Sequence, residues 1–137
     1  MASAEYNILI EKAKAASSKA YAPYSKFAVG CALLSSSGQI YSACNVENIS
    51  FGLTICAERA AIFKAISEEG PGFNIRRVVI YTSTKNPVTP CGACRQVLKE
   101  FGNDFEILCT CKSKKELLLS INELLPQSPA IILPSED

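Results

Sequence analysis

Cys56-Ala57-Glu58-Arg59, Arg77-Val78-Val79-Ile80-Tyr81 and Pro90-Cys91-Gly92-Ala93-Cys94 are the three stretches whose order decides the fold. The first opens a run from Cys56 to Glu69 in which Ala60, Ala61, Phe63, Lys64 and Ala65 suit a helix, and Gly70-Pro71 stops it. The second is a short apolar, β-branched run with strand character. The third follows a loop from Asn86 to Pro90 and starts another helical run, Cys91 to Phe101, which Gly102 ends. Phe105 to Cys109 then reads as a further strand. Strand and helix alternate through this half of the chain, which is the pattern of an α/β fold.

Working outward, the segment before Cys56 supplies a hairpin. Phe27-Ala28-Val29-Gly30-Cys31-Ala32-Leu33-Leu34 is continuously apolar, as a strand buried on both faces should be. Ser35-Ser36-Ser37-Gly38 is a turn, and Ile40 to Val46 reads as the return strand. Before it, Glu5 to Tyr21 carries Leu9, Ala13, Ala16 and Ala20 at helical spacing and predicts a helix ending ahead of Pro23. The segment from Lys114 to Leu125 has no clean period. The sheet should therefore be mixed, with an antiparallel hairpin joined to parallel βα units.

Composition narrows the chemistry. The 137 residues suit one domain, and 48% apolar with 20% charged residues is globular. The net charge of +1 gives no reason to expect a nucleic-acid groove or an anionic membrane surface, and no apolar run is long enough to span a bilayer. Lys112, Lys114 and Lys115 form a basic cluster without aromatic residues among them, unlike a polynucleotide-binding groove. There is no histidine, which excludes Ser-His-Asp and Cys-His catalysis and any histidine metal ligand within the chain. Seven cysteines cannot all pair within one chain, and Met1 to Lys14 lacks the apolar core of a signal peptide. A reducing, cytoplasmic setting is expected, where cysteines bind metal, catalyse or pack in cores.

Cys56 and the Cys91/Cys94 pair each open a helix. If both helices start at the same edge of the sheet, three sulfurs meet where backbone N–H groups and helix dipoles favour thiolate. Three ligands with one open position is the pattern of a catalytic zinc site. Taken alone, Cys91-Gly92-Ala93-Cys94 is equally open to a redox pair, to half of a closed four-cysteine zinc site completed by Cys109 or Cys111, or to core packing. Glu58 adds a distinguishing element. A zinc ligand, one residue, a non-ligating glutamate and a later Pro-Cys-x-x-Cys is the signature of the zinc deaminases.

At these residues the chain resembles the small, homotetrameric cytidine deaminases. The resemblance extends to Tyr21-Ala22-Pro23-Tyr24-Ser25-Lys26-Phe27-Ala28-Val29-Gly30, to Asn45-Val46-Glu47-Asn48, to Arg95-Gln96 after Cys94, and to Glu123-Leu124-Leu125-Pro126. It implies a single-domain, three-layer α/β/α fold over residues 1–137 with a mixed five-stranded sheet, whose last strand is Glu116 to Ile121. It implies one Zn2+ per chain on Cys56, Cys91 and Cys94, with Arg59 donating hydrogen bonds to the ligating sulfurs. Glu58 is implied as the general acid/base that takes a proton from the attacking water, delivers it to N3 of a pyrimidine and later helps ammonia depart. Phe27 is implied to pack on the pyrimidine, Asn45 and Glu47 to bind the ribose 3′-hydroxyl, and Ala57 and Thr89 to offer backbone groups to the base. The implied activity is hydrolysis of cytidine and 2′-deoxycytidine to the uridines in pyrimidine salvage.

Two alternatives stand beside that activity. One is a deaminase of another cytosine-containing substrate, a nucleoside antibiotic or a polynucleotide. The other is a non-catalytic, zinc-stabilised module. The chain departs from the family at Phe51, where many members have Tyr, and after Pro126, where Gln127-Ser128-Pro129-Ala130-Ile131-Ile132-Leu133 stands in place of an early aromatic residue. The apolar end of that tail is expected to pack on a neighbouring subunit.

Overall fold

The computed structural model describes residues 4–129. Helix α1 (Ala4–Ser17) precedes the hairpin β1 (Val29–Ser35) and β2 (Ile40–Cys44), and a single 3-10 turn covers Phe51–Leu53. Helix α2 (Ala57–Glu69), strand β3 (Ile75–Thr82), helix α3 (Gly92–Glu100) and strand β4 (Glu106–Thr110) follow. Strand β5 (Leu117–Ser120) and the short helix α4 (Ile121–Leu124) complete the described elements. The five strands form one mixed sheet in the order β2-β1-β3-β4-β5. Strand β1 is antiparallel to both its neighbours, β3 and β4 are parallel, and β5 is antiparallel to β4.

Alternation along the strands sorts the core into two layers. Cys31 and Leu33 of β1, Val78 and Ile80 of β3, and Ile107 and Cys109 of β4 face one side, against Ala61, Ile62 and Ala65 of α2, Leu98 of α3 and Ile121 of α4. Ala32, Leu34, Val79, Tyr81 and Leu108 face the other side, against Tyr6, Leu9 and Ala13 of α1. Three layers result, with α1, among the described residues, alone on one face. Among the described residues no helix is long and apolar enough to cross a membrane.

Several boundaries move from their expected places for local reasons. Helix α1 ends at Ser17 rather than near Tyr21. Ser17 and Ser18 turn their hydroxyls back to the carbonyls of Lys14 and Ala15, and the next amides close three-residue turns, a competition that ends helices. Strand β1 starts at Val29, not Phe27, and β2 stops at Cys44, not Val46, because the side chain of Asn45 enters the ladder there. Its Oδ1 accepts the Val29 N–H at 2.9 Å and its Nδ2 donates to the Phe27 carbonyl at 2.8 Å. Glu116 to Ile121 contains β5, two positions shorter, since Ser120 becomes the N-cap of α4 in a capping box with Glu123. The apolar stretch from Ala130 to Leu133 lies outside the described residues.

Two positions lock the layers together. At Gly30 the helix α1 backbone comes so close that a Cβ would lie 1.8 Å from the Ala13 carbonyl oxygen and 2.7 Å from the Ser17 nitrogen. Neither backbone atom can rotate away. At the far end of α2, the Glu69 carboxylate accepts hydrogen bonds from Ser35 Oγ at 2.9 Å, Ser37 Oγ at 2.8 Å and the Tyr41 hydroxyl at 2.7 Å, which ties the helix to the hairpin. These donors, Tyr41 first, hold the Glu69 carboxyl below the usual range, and the same bond pushes the Tyr41 phenol up to about 12.

Gly30→Ala should force α1 away from β1 and cost about 2 kcal/mol or more, seen as a Tm drop of roughly 6–10 °C by calorimetry. A drop under ~2 °C would show that the helix can slide freely. The depressed Glu69 group stabilises the fold above the unfolded glutamate pKa of about 4.3 and loses that contribution as pH falls through its lower folded value. Denaturant titrations of wild type and Glu69→Gln should therefore differ most above about pH 5 and converge toward about pH 3.

Candidate active site

Strand β1 is antiparallel to both β2 and β3, so β2 and β3 run in the same direction. The two returns, β2-α2-β3 and β3-α3-β4, then bring both helix starts to the ends of β2 and β3. Cys56 is the N-cap of α2 and Cys91 the N-cap of α3, both with extended backbone, and Cys94 lies one turn into α3. The three Sγ atoms lie within 4.8 Å of one another. Cys56 Sγ and Cys91 Sγ are 4.0 Å apart. Two thiolates bound tetrahedrally to zinc at ~2.3 Å would lie roughly 3.8 Å apart, so the donor set and its spacing fit that metal.

All seven cysteines are free thiols. Cys109 and Cys111 stand outside the cluster. Cys109 is buried in the sheet core, and Cys111 sits in the loop after β4, where its Sγ is 3.5 Å from the carbonyls of Lys85 and Lys115. This excludes the closed four-cysteine arrangement. No candidate fourth cysteine reaches the sulfurs.

Arg59 follows Cys56 on the same helical face and donates from Nη2 to Cys56 Sγ at 3.4 Å. The Cys56 thiol is pulled down to about 5, first by the Cys94 S–H and then by Arg59. Cys94 moves the opposite way, because its proton is the one shared with the Cys56 thiolate and because it is buried. Protons still held by the thiols would leave as metal binds. Among the described residues the buried Arg59 Nε has no hydrogen-bond partner.

Glu58 is 5% exposed, one residue into α2. Burial pushes its carboxyl up, and the charge of the Cys56 thiolate adds to the push. Behind it, burial also raises the thiols of Cys31 and Cys109, the latter to about 12, so both remain neutral core groups. Helical spacing predicts that Cys56 and Glu58 diverge. They meet because Cys56 caps the helix from outside it while Glu58 is within the first turn.

A cavity of about 330 Å³ opens over this helix end. It brings Phe27, Asn45, Glu47, Ala57, Glu58 and Thr89 together with Cys56 and Cys91. Cys94 is buried behind them, so the cluster presents two sulfurs to the cavity. Ile80, Thr82 and Val88 add wall residues that lacked any motif. Ser25 and Thr54 line it as well.

Ser25 and Arg95 lie within the sequence motifs, and neither residue's role is legible there. Arg95 donates to the Pro90 carbonyl at 2.8 Å, to Thr89 Oγ1 at 3.0 Å and to the Leu124 carbonyl at 3.0 Å, which fixes the segment before Cys91. Asn45 spends one N–H on the Phe27 carbonyl and one acceptor on the Val29 N–H, leaving one N–H for anything in the cavity.

Comparisons with known proteins agree with this geometry. Residues 3–110 match the cytidine and deoxycytidylate deaminase zinc-binding region. The chain is 53% identical over 95 residues to a cytidine deaminase of Sporosarcina psychrophila, covering 69% of this chain and 68% of that protein. It is 42% identical over 127 residues to one from Halalkalibacterium halodurans, covering 87% and 89%. The crystal structure of cytidine deaminase from Burkholderia pseudomallei superposes with a TM-score of 0.84 at 44% identity, covering 90% of this chain and 98% of that one.

The cluster should hold one zinc per chain. Metal analysis is expected to find it retained in Cys109→Ala and Cys111→Ala and lost in Cys91→Ala. Loss from Cys109→Ala would reinstate a fourth cysteine ligand.

Proposed function

Because the chain belongs to the family of zinc-binding cytidine and deoxycytidylate deaminases, we propose that it hydrolyses cytidine and 2′-deoxycytidine to uridine and 2′-deoxyuridine, consuming water and releasing ammonia. The observation that carries the reading is the junction of three clustered sulfurs with buried Glu58 at one cavity, whose wall also carries Asn45 and Glu47.

Cys56, Cys91 and Cys94 would hold the zinc, which when bound supplies the Lewis acidity that makes water a nucleophile near neutral pH. Three thiolates surround it with negative charge. Arg59 and the positive ends of α2 and α3 offset that charge. Glu58 manages the protons. It accepts one from the attacking water and delivers it to N3 of the base, then takes the second from the hydroxyl now on C4 and passes it to the amino group that leaves C4. Burial favours the protonated carboxyl, which suits a group that must hold a proton between two transfers. Phe27 packs on the pyrimidine, the Ala57 N–H and the Thr89 carbonyl bind the base edge, and Asn45 and Glu47 bind the ribose 3′-hydroxyl.

The whole chain acts as one cytoplasmic domain in pyrimidine salvage, assembled as a homotetramer with sites near subunit interfaces. Exposed Ile49, Phe51 and Leu53, in the segment that leads to the cavity residue Thr54, support assembly, since exposed large apolar side chains favour burial against a partner.

Glu58→Gln should keep its fold and zinc and lose at least ~100-fold in ammonia release from cytidine, because one residue serves successive proton transfers. Activity within tenfold of wild type would remove Glu58 from the reaction.

A further inference from the structure

Beside the cavity, residues 21–27 wrap around one carboxylate. Glu47 Oε1 accepts the backbone N–H groups of Tyr24 at 3.0 Å and Ser25 at 3.1 Å, and Oε2 accepts the Ser25 hydroxyl. The Ser25 oxygen in turn accepts the Phe27 N–H at 3.0 Å. Between them Lys26 holds a left-handed φ of 59°, which a non-glycine residue adopts only where its surroundings impose it. The Lys26 N–H reaches the Ala22 carbonyl at 3.1 Å, and the Glu47 N–H reaches the Tyr21 carbonyl at 2.8 Å. Ser25, Phe27 and Glu47 all line the cavity.

We propose that Ser25 is a positioning residue that sets sugar recognition, by orienting Glu47 and Phe27 through a single hydroxyl. This rests on the reading of Glu47 as the acceptor of a ribose hydroxyl. A carboxylate offers about four acceptor directions. Three are occupied from the 24–25 segment, so one remains for one donor, and Glu47 reads a single hydroxyl. The Ser25 proton is committed to Oε2 and its oxygen to Phe27. The group that grips the sugar and the ring that meets the base are therefore held at a fixed separation, as a nucleoside requires and a free base does not. The same bonds, the Ser25 hydroxyl first, hold the Glu47 carboxyl below the usual range and keep it an acceptor. Without the hydroxyl, Oε2 turns freely and the Phe27 N–H loses its partner, although the backbone bonds to Oε1 persist.

The test compares cytidine with 3′-deoxycytidine in steady-state kinetics of the zinc-loaded enzyme, using Ser25→Ala, Ser25→Cys, Ser25→Thr and Glu47→Gln. Ser25→Ala and Glu47→Gln should each raise KM for cytidine about tenfold, the loss of one hydrogen bond to a charged group. They should leave kcat within about twofold, as expected when binding common to ground and transition states is removed. Glu47→Gln should shift KM for 3′-deoxycytidine by no more than about twofold, and Ser25→Ala, which also frees the Phe27 N–H, should shift it clearly less than it shifts KM for cytidine. Ser25→Thr, which keeps the hydroxyl, should restore wild-type KM, and Ser25→Cys, with its weaker donor, should fall between. If Ser25→Ala or Ser25→Cys weakens both nucleosides equally while Glu47→Gln discriminates, Ser25 only staples the loop and the inference fails alone. If Glu47→Gln affects both nucleosides equally, the sugar-reading role of Glu47 fails and the inference with it.

Discussion

The antiparallel seating of β1 between β2 and β3 makes the two strands flanking it run in one direction, and the site depends on that relation. Two returning helices must then begin at the same strand ends, and whatever caps them shares one small volume. Cys56 and Cys91 are both N-caps, so the shared volume fills with sulfur. Neither N-cap side chain makes a capping hydrogen bond. Ser, Thr, Asp or Asn there would stabilise each helix by about 1 kcal/mol, so cysteine at both starts gives up local helix stability for metal-binding chemistry.

Collecting three sulfurs and a carboxylate in one place concentrates negative charge, and the surrounding structure compensates for it. Helix dipoles act on Cys56 and Cys91, and Arg59 donates directly to the Cys56 sulfur. The sheet floor beneath Glu58 contributes no further anion, because burial keeps Cys31 and Cys109 protonated. Glu58 is left as the one buried carboxylate of the cavity. It is shielded from solvent enough to retain a proton and close enough to the thiolate to be sensitive to it.

Much of this was legible in the sequence because it depends on residue type at fixed spacing. The helix stops at Gly70 and Gly102, the hairpin turn at Ser35 to Gly38, and the two cysteine-led helix starts follow from local chemistry. The three-ligand set emerged once alternation of strand and helix placed both starts at one sheet edge. What the sequence concealed were positions where a side chain replaces a backbone partner. Asn45 looks like a polar strand end, yet its amide completes the ladder between β1 and β2 and thereby shortens both. Ser17 and Ser18 look compatible with a helix, yet their hydroxyls end it. The hydrogen bonds of Ser25 and Glu47 span 22 residues and carry no periodic signal.

Arg95 shows how the site is joined to the far end of the chain. It lies one residue after a ligand, on the helix that the ligand pair opens, and its five N–H donors form a rigid fork. That fork holds Thr89 and Pro90 on one side and the Leu124 carbonyl, at the end of α4, on the other. α4 is itself only four residues long, too short to be stable alone, and depends on its Ser120–Glu123 capping box and on burial of Ile121 and Leu124. One guanidinium therefore serves two purposes that the sequence keeps apart: it sets the approach to Cys91, and it anchors the segment from which the chain continues past Pro126. A lysine there could supply the charge but not three divergent, simultaneous donor directions, so the arrangement requires arginine for geometry rather than for charge.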